Sequence, residues 1–274
     1  MSFDGREGKF RLVRNEKTKR DSEECPIMLE LNGISKTFYS ESGEQIRAME
    51  GLNLLVREGE FITLVGATGC GKTTLLNLIA GLDSPDDGQL CLGEDLRLGD
   101  NIAYVFQHYT LFPWRSTLSN VSFGLQMRGI GRKKRKEKAL KLLSKVGLGG
   151  FENTYPYELS GGMRQRAAIA QALAIRPKLL LMDEPFGALD DSTRRELQQM
   201  LTELWQENRT TILFVTHNID EAVVLGEKVL VLSERPGRIV REFDVELPRP
   251  RNTITKEFTD LFMQIRQSLS TQLD

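Results

Sequence analysis

Short apolar runs alternate with amphipathic stretches along most of this chain. Phe61-Ile62-Thr63-Leu64-Val65, Leu179-Leu180-Leu181-Met182, Thr211-Ile212-Leu213-Phe214-Val215 and Lys228 to Leu232 are nearly uninterrupted by charge. That is the pattern of parallel strands covered on both faces. Thr73 to Ala80 repeats Leu75, Leu76, Leu78 and Ile79 at helical spacing, and Gly81 suits its C-terminal cap. Gly162 to Ile175, Ser192 to Gln206 and Ile219 to Leu225 read as further helices between the strands. Strand and helix in alternation predict a parallel α/β core.

The flanks follow other periods. Met28 to Val65 alternates apolar with polar residues, as in Leu52-Asn53-Leu54-Leu55-Val56, and predicts antiparallel strands. Asp83 to Gly88 reads as a turn. From Leu111 to about Leu159 the spacing is helical, with helices expected at Thr117 to Leu125 and Lys133 to Val146. Arg132-Lys133-Lys134-Arg135-Lys136 invites a reading as a nucleic-acid patch or a lipid-headgroup contact. The continuation Glu137-Lys138-Ala139-Leu140 is amphipathic, which favours a solvated helix face. After the Pro236-Gly237 turn, Arg238 to Phe243 reads as a hairpin arm. In the tail, Phe258, Leu261, Phe262, Ile265 and Leu269 recur at helical spacing, as for a helix packed on its own domain. The expected organisation is a charged, mobile extension at 1–27, one domain at 28–251 with a helical subdomain at about 109–165, and a C-terminal amphipathic helix at 252–274.

Candidate chemistry sits at the ends of the apolar strands. Gly66-Ala67-Thr68-Gly69-Cys70-Gly71-Lys72-Thr73 joins the first of them to its helix and fits G-x-x-x-x-G-K-[ST] at every fixed position. Glycines let backbone wrap phosphates closely, the N–H groups form an anion nest, and the positive helix end adds to the attraction. The eight residues and Thr74 are therefore expected to cradle a nucleoside triphosphate. Lys72 should reach the β- and γ-phosphates, and the Thr73 hydroxyl should ligate Mg²⁺. Cys70 reads as a small residue that fits; a thiol made acidic by the helix end is the sharper alternative.

The Leu179–Met182 run ends in Asp183-Glu184-Pro185. Ligands of parallel sheets gather at the carboxyl ends of strands. Asp183 is expected to hold Mg²⁺ and Glu184 to orient, or take a proton from, the attacking water.

The run Leu159-Ser160-Gly161-Gly162-Met163-Arg164-Gln165-Arg166 resembles the signature motif of ATP-binding-cassette (ABC) ATPases. The resemblance extends from about Met28 to Arg251. It covers Gln107, in Tyr104-Val105-Phe106-Gln107-His108, His217 after the Thr211–Val215 strand, and Ala188-Leu189-Asp190. It implies a P-loop NTPase core with an antiparallel β subdomain and an inserted helical subdomain. It further implies that Gln107 contacts Mg²⁺ and the attacking water, and that His217 contacts the γ-phosphate and Glu184. Ser160, Gly161, Gly162 and Asp190 would complete an ATP site across a dimer of two copies. The adenine-stacking aromatic aligns with Phe38, with Tyr39 one residue away. Asn218 stands where Asp is more usual, and Gln171 where Arg is.

Asn77 to Leu82, Leu111-Phe112-Pro113-Trp114-Arg115, Met182 to Asp190 and Leu247 to Arg251 look most like ATPases of nitrate, sulfonate, taurine and bicarbonate importers. That implies ATP hydrolysis coupled to an integral-membrane permease, a separate solute-binding protein, and a place on the cytoplasmic membrane face. A DNA-repair or chromosome ATPase would carry a long coiled coil between Gln107 and the signature, where only a short helical segment fits. A regulatory module would have no permease to meet.

Composition adds bounds. At 274 residues and 40% hydrophobic, the chain can bury a real core. A net charge of −1 gives no global field for nucleic acid, which is not expected as a partner. Cys25, Cys70 and Cys91 are no disulfide framework and suit a reducing compartment. No apolar run is long enough to span a bilayer, and the polar N-terminus is not expected to be a signal peptide.

Overall fold

The computed structural model describes residues 26–93, 96, 100–107, 110–187 and 189–270. The expected mobile extension, apart from its last two residues, and Cys25, His108 and Ala188 lie outside the described residues. The elements run β1 (Ile27–Tyr39), β2 (Gln45–Arg57), β3 (Phe61–Val65), α1 (Lys72–Ile79), β4 (Asp87–Leu92) and β5 (Ile102–Val105). Then come α2 (Thr117–Val121), α3 (Phe123–Met127), α4 (Arg132–Lys145), a 3₁₀ turn at Pro156–Glu158 and α5 (Gly161–Ala174). The second half holds β6 (Leu179–Asp183), α6 (Asp191–Asn208), β7 (Thr211–Thr216), α7 (Ile219–Leu225), β8 (Lys228–Leu232), β9 (Ile239–Asp244) and α8 (Lys256–Ser270).

One sheet has the order β5-β6-β7-β3-β8-β9; its first five strands are parallel and β9 runs antiparallel along β8. Every residue of β3, β6 and β7 is buried, which is why these strands show no polar alternation. Their two faces still serve different cores. Leu180, Met182, Ile212 and Phe214 pack with residues of α5 and α6, while Leu179, Leu181, Leu213 and Val215 pack with α1 and the antiparallel strands. That second sheet is β2-β1-β4. Phe61–Val65 ends the alternating segment yet joins the parallel sheet, because it is apolar on both sides.

Local chemistry sets the helix ends. Gly81, at φ +68°, follows α1, and the bonds Leu82 N to Asn77 O (2.9 Å) and Gly81 N to Leu78 O (3.1 Å) close a Schellman motif. The spacing predicts one helix over 117–125; the structure has two, meeting at Ser122. Gly124 shows why the second one lies where it does. A Cβ there would stand 2.5 Å from Ile175 Cγ2, so α3 presses against the end of α5. In α4 the basic residues Arg132, Lys133, Lys134 and Lys136 are exposed, and Ala139 and Leu143 face the core. Phe258 and Ile265 of α8 are buried with Ala222, Val223, Val229 and Val231, so the tail helix packs on its own chain.

Candidate nucleotide site

Between β3 and α1 the backbone makes a loop that only glycine allows in places. Gly71 has φ +103°, and a Cβ on it would lie 2.8 Å from the Ala48 carbonyl oxygen. Lys72, the first residue of α1, is 5% exposed. Its ammonium donates to the carbonyls of Gly66 and Ala67, both at 2.9 Å, and stands 3.4 Å from Glu184 Oε1. Thr73 and Thr74 follow in the same turn. Cys70 is buried, and that burial pushes its thiol up despite the nearby Lys72. Burial and the close packing of its sulfur against Gly66 suit the reading of Cys70 as the small residue that fits.

Two carboxylates enter from β6. Asp183 is 3% exposed. Tyr104, on neighbouring β5, donates to its Oδ2 at 3.4 Å. Burial pushes the Asp183 carboxyl up, while hydrogen bonding by Thr73 and Tyr104 opposes this. Its Oδ1 is buried with no hydrogen-bond partner. A buried, unpaired carboxylate oxygen beside a Thr hydroxyl is a donor set that fits a hard divalent cation. Tyr104 was not legible as a site residue, although its place three residues before Gln107 on a strand end was a signal.

Glu184 takes φ +41° directly before Pro185, a backbone position that non-glycine residues avoid. It is held by its N–H, which donates to the Val215 carbonyl at 2.9 Å. One oxygen faces Lys72; the other accepts from His217 Nδ1 at 2.8 Å. His217, just past β7, keeps a 54% exposed side chain. Lys72, Glu184 and His217 therefore form one line of contacts from three neighbouring strand ends.

Behind His217 lies a buried brace. Thr216 donates to Glu221 Oε2 at 2.6 Å, and Asn218 N–H donates to the Thr216 hydroxyl at 3.0 Å. Glu221 Oε1 is 3.3 Å from Arg194 Nε, and Arg194 also donates to the Leu189 carbonyl at 2.7 Å. Burial pushes the Glu221 carboxyl up; the Thr216 hydroxyl and Arg194 counter it. This brace ties the His217 turn to the segment that carries Asp190.

The other expected site residues lie apart from that line. Ser160 caps α5, its Oγ accepting from Met163 N–H at 3.2 Å, and is exposed with Gly161 and Gly162 beside it. At Gly162 a Cβ would meet Thr193 Cγ2 at 2.5 Å. Asp190 caps α6 through Thr193 N–H at 3.0 Å, and this bond with the Ser192 hydroxyl holds its carboxyl low. Among the described residues, no hydrogen bond or ion pair joins the Ser160 end of α5 to the phosphate loop. Gln107, two residues beyond β5, is exposed, and Phe38 is 40% exposed at the end of β1.

A parallel sheet with a glycine loop at β3, an acidic pair at β6 and a histidine at β7 defines a P-loop NTPase. Residues 49–187 match the ABC transporter family. An ABC transporter ATP-binding protein of Methanocaldococcus jannaschii is 46% identical over 261 residues, 94% of this chain and 97% of that one. The nitrate import ATP-binding protein NrtD of Synechocystis is 46% identical over 82% of this chain and 85% of its own length. The taurine import ATP-binding protein TauB of Rhizobium johnstonii is 45% identical over 81% and 86%. Among solved structures, the dimeric ATP-binding cassette MJ0796 in a post-hydrolysis state with ADP and phosphate superposes with a TM-score of 0.71. It is 35% identical, covering 80% of this chain and 99% of that one. The chain belongs to the ABC transporter family; it is one of the family's ATP-binding subunits and an ATPase.

Proposed function

We propose that this chain is the ATP-hydrolysing subunit of an importer for a small nitrate-, sulfonate-, taurine- or bicarbonate-like solute. Two copies would close head to tail around two ATP molecules. They would dock on an integral-membrane permease from the cytoplasmic face, with a separate protein delivering the solute. No helix among the described residues is long and apolar enough to cross a membrane. The import-protein names of the relatives support the solute class, and the dimeric cassette neighbours support the pairing. The observation that carries the catalytic reading is the Glu184 carboxylate held between Lys72 and His217.

In this reading the loop N–H groups and Lys72 bind the β- and γ-phosphates. Glu184 orients the attacking water and takes its proton, and His217 holds Glu184 and contacts the γ-phosphate. The partner's Ser160, Gly161 and Gly162 close over the same phosphate, with Asp190 shaping the junction. Phe38 stacks on the adenine. Asp183, Thr73 and Gln107 would hold Mg²⁺, which neutralises charge on the β- and γ-oxygens when bound. Glu184→Gln should keep ATP binding, lower turnover by a factor on the order of 10² or more, and accumulate an ATP-bound dimer. ATP titration, phosphate release and size-exclusion chromatography measure the three effects. Near-normal hydrolysis by this variant overturns the base role.

A further inference from the structure

The geometry points to Arg235 as a positioning residue for ATP binding, one that locks the orientation of a peptide in the middle of the phosphate loop. This rests on the ATPase reading above. Arg235 lies 166 positions from Gly69, yet its Nε and Nη2 both donate to the Gly69 carbonyl, at 3.2 and 3.0 Å.

The contact matters because of what Gly69 is. It stands at φ +82° with no Cβ to resist rotation of the following peptide. The peptide is planar and trans, so its carbonyl and its N–H point in opposite directions. With the Gly69 oxygen held by the guanidinium, the Cys70 N–H points the other way and donates to the Ala67 carbonyl at 3.3 Å, closing a turn inside the loop. The opposite orientation would aim a carbonyl oxygen inward, against the negative charge of a phosphate. Glycine gives the loop its shape but not that choice; the two Arg235 bonds supply it together with the long Cys70–Ala67 turn bond.

Arg235 is itself set by a braced turn. The Ser233 hydroxyl donates to Pro236 O at 2.7 Å and accepts from Arg238 N–H at 2.8 Å. Gly237 N–H donates to Ala48 O at 2.9 Å, and a Cβ on Gly237 would overlap the Cys70 carbonyl oxygen. Arg238 pairs with Glu50 on β2. The β8–β9 turn is therefore wedged between β2 and the phosphate loop, and it touches two successive loop carbonyls.

The test compares Arg235→Ala and Arg235→Lys with the wild-type full chain, using ATP as the probe. If the outward peptide falls to a minority, the apparent ATP dissociation constant rises in inverse proportion, by roughly 3- to 10-fold for the Ala variant. KM for ATP should rise in step, while kcat at saturating ATP stays within about two-fold, the signature of lost uniform binding. Lys, with one ammonium to offer the same carbonyl, should recover part of the loss. The melting temperature without nucleotide should be unchanged, since the guanidinium is exposed; if Arg235→Ala does not fold, Arg235→Lys against wild type carries the affinity comparison alone. Wild-type ATP affinity in the Ala variant overturns the inference, as does a loss confined to kcat. Lys72→Ala in the same series separates the two readings. Wild-type binding by that variant sinks the phosphate-loop assignment itself, whereas its loss of binding beside a normal Arg235→Ala sinks only the peptide lock.

Discussion

Glu184 concentrates the residue-scale argument. Its positive φ before a proline costs on the order of 1–3 kcal/mol, and the surroundings that impose it are visible: the β-type bond to Val215, the Lys72 ammonium and the His217 ring. A side chain held this way is aimed before any substrate arrives. Phe38 and Tyr39 pose the opposite case, two aromatics on one strand end with little to hold them. Phe38 is 40% exposed with the Lys36 ammonium 5.4 Å from its ring centroid, and Tyr39 is 72% exposed. Successive strand residues face opposite sides, so only one of the two can stack on a given adenine. Phe38→Ala should weaken ATP binding by roughly 1 kcal/mol, the size of one aromatic stacking contact, and Tyr39→Ala should do less. ATP titration of both variants decides, and the reverse order shows that Tyr39 is the stacking residue.

At the scale of elements, the turn before α2 is built to present one side chain. Asn120 is wholly buried. Its amide donates to the carbonyls of Phe112, Arg115 and Ser116 at 3.1, 2.9 and 3.2 Å, and its Oδ1 accepts from Phe112 N–H at 2.7 Å. Arg115 lies over the rings of Phe112 and Phe123. On this fixed turn Trp114 stands 72% exposed. A rigid turn offering a large bare aromatic fits a protein interface better than a core. Trp114→Ala should leave ATP hydrolysis by the isolated chain and its melting temperature nearly unchanged, and reduce transport by the reconstituted permease complex. A drop in melting temperature with unchanged transport per folded molecule would make Trp114 a packing residue. Elements of this kind were legible in sequence where a local rule decides them. The glycine loop, the caps at Ser160 and Gly81, and the buried strands all follow from neighbours along the chain. The junction at Ser122 was not, because Ser122 keeps a right-handed helical backbone, φ −82° and ψ −3°, and no glycine or proline marks it. The Arg194–Glu221 brace and Arg235 on Gly69 were likewise hidden, since each joins segments far apart in the chain, and spacing along one sequence carries no signal for such pairs.

For the whole molecule the decisive feature is a division. Lys72, Glu184 and His217 are in contact within one protomer, while Ser160 caps its own helix, exposed and unconnected to them. A hydroxyl and glycine N–H groups at the start of the 14-residue helix α5 suit an anion, and a second copy placed head to tail would bring its γ-phosphate there. Ser160→Arg should then block closure by bulk and charge, although the phosphate loop of the variant is intact. Lys72→Ala should be inactive for the complementary reason, lost phosphate binding in a sound signature partner. Mixed together, the two variants form a dimer in which both lesions fall in one composite site and the other site has two sound halves. ATP-dependent dimerisation, followed by size-exclusion chromatography, should reappear in the mixture and be absent from either variant alone, with some hydrolysis returning alongside it. The stoichiometry gives a further check: a one-to-one mixture should dimerise most, because only heterodimers possess a complete site. Normal hydrolysis by Ser160→Arg as a monomer would remove the signature from the site, and with it the mechanical link between ATP binding and the closing of two subunits on a permease.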